Sequence, residues 1–445
     1  MRFGVLRQYA ILIFAPIAGI LAVFLLGIPK FENIPTGTLS PSIAIVAMLT
    51  FAAVVCAAML IAWAAEAAQF SISQGLALAI VALVQTLPEF FVEGTIALKA
   101  GQQGLDCLTQ TLGPGEVCWV EQVTANFTGA NRLLSGLGWP LIFFVAEFKR
   151  RRATGRGLGY IELRKEQSIE VIAMLAATAY YPVILLRGRI SIIDAIILGG
   201  FFFAYMWMLS KLPAETEDPK EVLAASPLAI VKLRNSALRA IAIVGLFAFG
   251  GVVFSFISDP FVVSVAAVAI GLIGTGAVFF FIQWIAPLLS EFPEKVTAFH
   301  WASTIRLAPM ALLNFVSSSV NELTVLVSII PLVFLFGHTL GSGVLVFEVP
   351  VTHPIELLLM ATQSLYACVC LFKLRYNRTN ASILFSLWLA STVVPALVPV
   401  GTAEVLRLGF ALGFLPLTAY EYLSHRREVY VFQEFRRTLK THVFQ

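Results

Sequence analysis

The chain has 445 residues, of which 59% are hydrophobic and only 13% charged, with a formal net charge of +4 and a mean hydropathy of +0.87. Soluble domains carry about 25% charged residues, so these charges are too few to cover a water-facing surface, and a bilayer is the expected solvent. No basic stripe with interleaved aromatics occurs, so nucleic acid is not an expected partner.

A helix needs about 20 apolar residues to cross a bilayer. Runs of that kind are centred in 8–29, 42–66, 74–100, 122–147, 167–186, 190–210, 237–258, 277–301, 307–336, 354–374, 381–400 and 403–422. The first run lacks a small-residue cleavage site and reads as a span, not a removable signal. The Gly-rich stretch 261–275 follows Asp259-Pro260 and is expected to lead into the next helix without being a span of its own. The fold class is therefore an all-α membrane protein of about twelve transmembrane helices.

Lys and Arg set the orientation. They concentrate in loops 148–165 and 211–235, around Lys373, Arg375 and Arg378, and in the tail from Arg426 to Lys440. All these segments fall on one side of a twelve-span chain. That side is expected to face the cytoplasm of a multi-pass cell-membrane protein with both termini inside. Arg187 and Arg189 are the exception. The loop with Cys107 and Cys118 then lies outside, where a disulfide is permitted. Cys56, Cys368 and Cys370 sit in apolar runs and read as core residues. The polar linker 211–236, with Pro213 and Pro219, divides the chain. It separates a first repeat (36–210) from a second (237–400), flanked by an extra N-terminal helix (1–35) and a C-terminal helix with a basic tail (401–445).

Ionisable groups inside spans are expensive and usually functional. Here they cluster in two places: Gln85-Thr86-Leu87-Pro88-Glu89 with Glu93 one turn on, and Glu291-Phe292-Pro293-Glu294. A proline before each carboxylate opens the helix and frees carbonyl oxygens. Carboxylates, hydroxyls and carbonyls are hard ligands of the kind calcium takes. Each kink precedes a polar helix, Asn126-Phe127-Thr128-Gly129-Ala130-Asn131 in one case and Asn314-Phe315-Val316-Ser317-Ser318-Ser319 with Glu322 in the other. The Glu89 and Glu294 spans are third and eighth in order, so they run in opposite directions. Inverted repeats with Pro-kinked broken helices are a recurring transporter architecture.

The two stretches, about 66–135 and 270–325, resemble the calcium:cation antiporter superfamily of the sodium/calcium exchanger type. That family's repeats look like Gly-Thr-Ser-Leu-Pro-Glu followed by Gly-Asn-x-x-Gly-Ser-Asn. The resemblance implies that Glu89 and Glu294 are divalent-cation ligands. It also implies oxygen ligands around Thr86, Ser290, Asn126, Asn131, Asn314 and Ser318, and alternating access between inward- and outward-open states. This chain departs from the pattern in placing Glu291 where the second copy has Ser, Ala130 where Ser is usual and Leu134 where a polar residue is common. Hydroxyls for sodium are thinned and carboxylates are added, which makes proton coupling more plausible and leaves calcium, manganese and magnesium open.

The expected function is antiport of a divalent cation, calcium first, for sodium or protons. The alternatives are a proton-coupled manganese or magnesium exchanger and a non-transporting scaffold with a degenerate site. Glu291 is read as a proton carrier or second ligand; Glu93 suits a ligand role or a hydrogen bond to a Ser or Asn equally well. Partners are inorganic cations and lipid, with no permanently bound cofactor. Enzymatic chemistry is not expected, because no nucleophile–base pair accompanies the acids.

Overall fold

A computed structural model of the chain describes residues 3–28, 39–68, 70, 83–84, 86–110, 113, 116–212, 223–274 and 277–444. Most of the third expected span before Thr86, including Gln85, lies outside the described residues, as do the start of the first repeat at 36 and the linker prolines Pro213 and Pro219.

The chain opens with α1 (Phe3–Leu26), α2 (Pro41–Ala68) and α3 (Leu87–Gln103). Next comes α4 (Trp119–Leu133), which passes through a π turn at Leu134–Gly138 into α5 (Trp139–Thr154). Strand β1 (Tyr160–Glu162), α6 (Ser168–Arg187), β2 (Arg189–Ser191) and α7 (Ile192–Ser210) follow. After the short α8 (Ala225–Val231) comes α9 (Ser236–Leu272), then α10 (Val278–Ser290) and α11 (Phe292–Ser303). Helix α12 (Ala308–Ser342) leads to β3 (Glu348–Pro350), α13 (Pro354–Cys370), β4 (Arg375–Asn377), α14 (Arg378–Ala396), α15 (Val400–Ser424) and α16 (Val431–Thr438). Among the described residues eight helices are long and apolar enough to cross a membrane. Large apolar side chains such as Phe24, Leu186 and Phe203 are exposed on them, as a lipid-facing surface requires.

One expectation is corrected. Residues 261–272 do not lead into the next helix; they continue α9, which runs unbroken through Pro260 for 37 residues. Proline is tolerated within membrane helices because neighbours and side-chain hydroxyls re-satisfy the freed carbonyls.

The helices sort into two compact units. The first comprises Met1–Asn126, Ala214–Glu294 and Leu332–Phe347; the second comprises Phe127–Pro213, Lys295–Pro331 and Glu348–Gln445. In the first, α2 packs between α1 and α9. Thr50 and Ser264 hydroxyls join α2 to α9 at 3.1 Å, and Phe91 of α3 stacks on Phe254 of α9. The C-terminal end of α12 approaches α3 through glycine alone. A Cβ on Gly101 would collide with Phe334 O, one on Gly337 with Leu98 O, and one on Gly341 would lie 2.6 Å from Gln102 O. Small residues four apart allow such backbone contact in membranes.

In the second unit α13 packs against α15 and α6, and α14 against α15 and α5. Two antiparallel strand pairs clip its connections together: Ile161 opposite Tyr376, and Ile190 opposite Val349. The two arginines that break the charge rule are neutralised there. Arg187 pairs with Asp194 at 2.8 Å, and Arg189 with Glu348 at 2.7 Å. Asp194 also accepts from the Ser191 backbone N–H at 2.7 Å, capping α7.

Candidate ion site

Both proline–glutamate motifs turn out to start helices. Pro88 occupies the first turn of α3, and α11 restarts at Phe292 after a break at Glu291. Proline suits the first turn, where its missing N–H has no partner to lose. Glu89 and Glu294 are then the third residue of their helices, at the end whose open N–H groups favour negative charge.

Glu89 and Glu93 lie four residues apart on one face of α3, and neither reaches solvent. Like charges at this spacing repel. Asn126 of α4 sits between them. Its Nδ2 donates to Glu89 Oε1 at 2.5 Å and to Glu93 Oε2 at 2.8 Å. Ser290, the last residue of α10, donates its hydroxyl to the other oxygen, Glu89 Oε2. Both amide protons of Asn126 are thereby used. Its Oδ1 and Glu93 Oε1 remain buried without a hydrogen-bond partner. Two buried acceptor oxygens on adjoining side chains ask for a positive charge or a proton. Thr86, at the turn into α3, donates to Leu83 O. Glu291 and Glu294 are also buried in this unit. Among the described residues no three carboxylate, imidazole or thiolate groups converge as a metal cluster. A cation held here would draw on mixed oxygens, two carboxylates with an amide and a hydroxyl, a donor set suited to hard cations.

In the second unit Asn314, Ser318 and Glu322 follow one another at four-residue steps, hence on one face of α12, and all are buried. The corresponding steps after Asn126 are Ala130 and Leu134. The polar load of the two copies is thus unequal. A shared detail survives. A π turn begins eight residues after each asparagine, at Leu134 (134 − 126) and at Glu322 (322 − 314). Such turns are frequent at functional sites. Tyr181 donates to Leu323 O in the second of them at 2.9 Å. Asn131 is engaged elsewhere: its Oδ1 accepts from Ser364 of α13 at 2.7 Å.

Arg132 lies in the second unit, with a partner that no local sequence pattern announces. It is buried against Glu356, which also accepts from Arg407, and Gln363 donates to Arg132 O and Ser135 Oγ. The available signal was Glu356 itself, a carboxylate in an apolar run.

The family model for the sodium/calcium exchanger protein matches residues 41–211. Among solved structures, the H+/Ca2+ exchanger CAX is similar over 98% of both chains, with 28% identity and a TM-score of 0.78. A sodium-calcium exchanger, NCX_Mj, is 14% identical with a TM-score of 0.52, over 81% of this chain and 100% of that one. YfkE is 16% identical, also with a TM-score of 0.52, over 91% and 99%. The last two likenesses concern the fold alone. No curated protein matches the sequence.

Proposed function

We propose that the chain, which matches the sodium/calcium exchanger family model over residues 41–211 and resembles an H+/Ca2+ exchanger along its length, is a secondary antiporter of the calcium:cation antiporter superfamily exchanging calcium for protons across the cell membrane. The observation that carries this reading is the bridge from Glu89 through Asn126 to Glu93. Two carboxylates in a low-dielectric medium repel unless positive charge or protons come between them. The amide donates to both and so stands in for that charge. A calcium ion replaces it more strongly, and so do protons. The same oxygens serve only one of these at a time, so calcium and protons exclude each other, and exclusion is what couples their opposite movements.

As calcium arrives, Asn126 turns its amide so that Oδ1 faces the ion in place of Nδ2. Glu89, Glu93 and Ser290 Oγ supply oxygens, with Thr86 at the helix start. Glu294 is the partner carboxylate of the second repeat and Glu291 its proton carrier. Asn314, Ser318 and Glu322 are the oxygen-bearing face of the second copy, and Asn131 has a packing role through Ser364. The repeats 36–210 and 237–400 are related by inversion, and both termini lie in the cytoplasm with the basic loops.

Protons are favoured over sodium by the added carboxylates Glu93 and Glu291 and by the apolar Ala130 and Leu134. The extended similarity to an H+/Ca2+ exchanger agrees with that preference. In proteoliposomes with an acid interior, calcium uptake is expected to follow the pH gradient. Glu89→Gln and Glu294→Gln are each expected to abolish it while still inserting. Full transport by both variants would sink the site. Uptake under a sodium gradient alone would sink the proton coupling, and manganese or magnesium preferred over calcium would change the cargo.

A further inference from the structure

We propose that a cavity in the second unit binds a phosphate group, carried by an anionic lipid headgroup or by a soluble phosphate. The cavity has a volume of about 580 Å³. Three connections that are distant in sequence build it: the segment around β1, the segment leading into β4, and the start of α16. Backbone hydrogen bonds hold these together, from Leu163 N to Leu374 O at 2.8 Å and from Val431 N to Phe372 O at 3.1 Å. The walls are therefore fixed by main chain, and the side chains on them are presented from a set frame.

Arg164, Lys165, Lys373 and Arg375 line the cavity against two carboxylates, Glu162 and Glu434. The lining charge is thus +2 (four cations less two anions). Lys373 has its own counter-charge in Glu421, at 2.7 Å, which is not part of the lining. Glu434 meets Lys165 only at 3.4 Å, and the Lys165 side chain is 62% exposed. Arg375 is 46% exposed while holding Glu162 at 3.1 Å. A divalent cation entering here would meet net positive charge. An apolar ligand would strand charged groups against hydrocarbon. Four cationic side chains facing one cavity suit an anion, and arginine forks fit phosphate oxygens in pairs. The positive-inside distribution sets this cavity at the cytoplasmic leaflet, where anionic headgroups concentrate.

The test uses the full-length protein in nanodiscs of phosphatidylcholine, in nanodiscs with added phosphatidylglycerol, and in phosphatidylcholine with inorganic phosphate. Melting temperature is read in each arm, and retained lipid is counted by native mass spectrometry. Arg164→Gln/Lys165→Gln is compared with Lys149→Gln/Arg150→Gln, which removes two basic residues of α5 outside the cavity. Wild type and the control pair are expected to be stabilised, the cavity pair to need about tenfold more ligand for the same shift, the loss expected for one charge-assisted hydrogen bond. A rise with phosphatidylglycerol alone assigns a lipid, a rise with inorganic phosphate alone assigns a soluble ligand, and a rise in both supports the shared chemistry. No rise in wild type, or equal weakening in both variant pairs, overturns the proposal. Should the cavity pair fail to fold, Lys165→Gln alone carries the same expectation, and an unchanged response in it overturns the site.

Discussion

Arg132 and Glu356 form an ion pair almost wholly removed from solvent: Nη1 lies 2.5 Å from Oε2, and the side chains are 1% and 4% exposed. Arg132 Nη2 also donates to Ser391 at 3.0 Å. Arg407 holds the other oxygen of Glu356, at 3.0 Å. Breaking such a pair costs more than never having it, because one buried charge is left alone; the loss is about 3–5 kcal/mol. Arg132→Gln and Glu356→Gln are therefore each expected to lower the melting temperature sharply. The double replacement Arg132→Met/Glu356→Met is expected to recover part of the loss, since Arg407 is 28% exposed and reaches water. A double variant as unstable as the two losses added together would show that the pair is not coupled.

Asn126 separates two acids that share one helix face. Asn126→Ala leaves Glu89 and Glu93 adjacent with no donor between them and removes an oxygen from the ion. Calcium affinity is expected to fall by about 10- to 100-fold, the usual range for groups that orient ligands, with protein yield largely kept. Asn126→Asp supplies oxygens but no donor, so its calcium binding should recover only as pH rises and the extra carboxyl ionises. Calcium titration by calorimetry across pH reads both. Affinity unchanged in Asn126→Ala would remove this residue from the site.

The long apolar helices α1, α2, α6 and α7 were legible because hydropathy is a sum over single residues and needs no partner. Glu89, Glu93 and Asn126 were legible for a related reason: a polar group in an apolar run stands out alone. Their mutual arrangement was anticipated only in outline, since the reading of Glu93 left a ligand role and a hydrogen bond to a Ser or Asn open. What local pattern does not carry is pairing at a distance. Arg132 and Glu356 are 224 positions apart, and Ile161 meets Tyr376 across a comparable gap. Proline misled at Pro260. Pro260 sits inside an unbroken α9, whereas Pro88 opens a helix, because tertiary partners decide whether a missing N–H matters.

Gly337 brings the tail of α12 against the backbone of α3, the helix that carries Glu89. Gly337→Val drives a side chain into Leu98 O, an atom that cannot yield without moving α3. Overpacking of this kind costs about 1–3 kcal/mol, and weaker calcium binding should accompany the lower melting temperature. Gly199→Val is the control, because a Cβ there meets nothing within 4 Å. Equal behaviour of the two variants in thermal melts would show that the close approach is dispensable.

Cys107 and Cys118 are joined by a disulfide, 11 positions apart, in the connection between α3 and α4. Closing a loop of this size restricts the unfolded chain and contributes about 3 kcal/mol. Reduction, or Cys107→Ser with Cys118→Ser, is therefore expected to lower the melting temperature without abolishing transport. The bond also reports topology. If the basic loops face the cytoplasm, this loop faces outward. Reduction frees the loop that holds Cys107 and Cys118, 9% and 2% exposed while bonded, so a membrane-impermeant reductant followed by an impermeant maleimide should then label both cysteines in intact cells. Cys368 and Cys370 are buried and should remain unlabelled until the protein is denatured. Labelling of Cys107 and Cys118 only after the membrane is permeabilised would reverse the orientation, and with it the side from which calcium first meets Glu89.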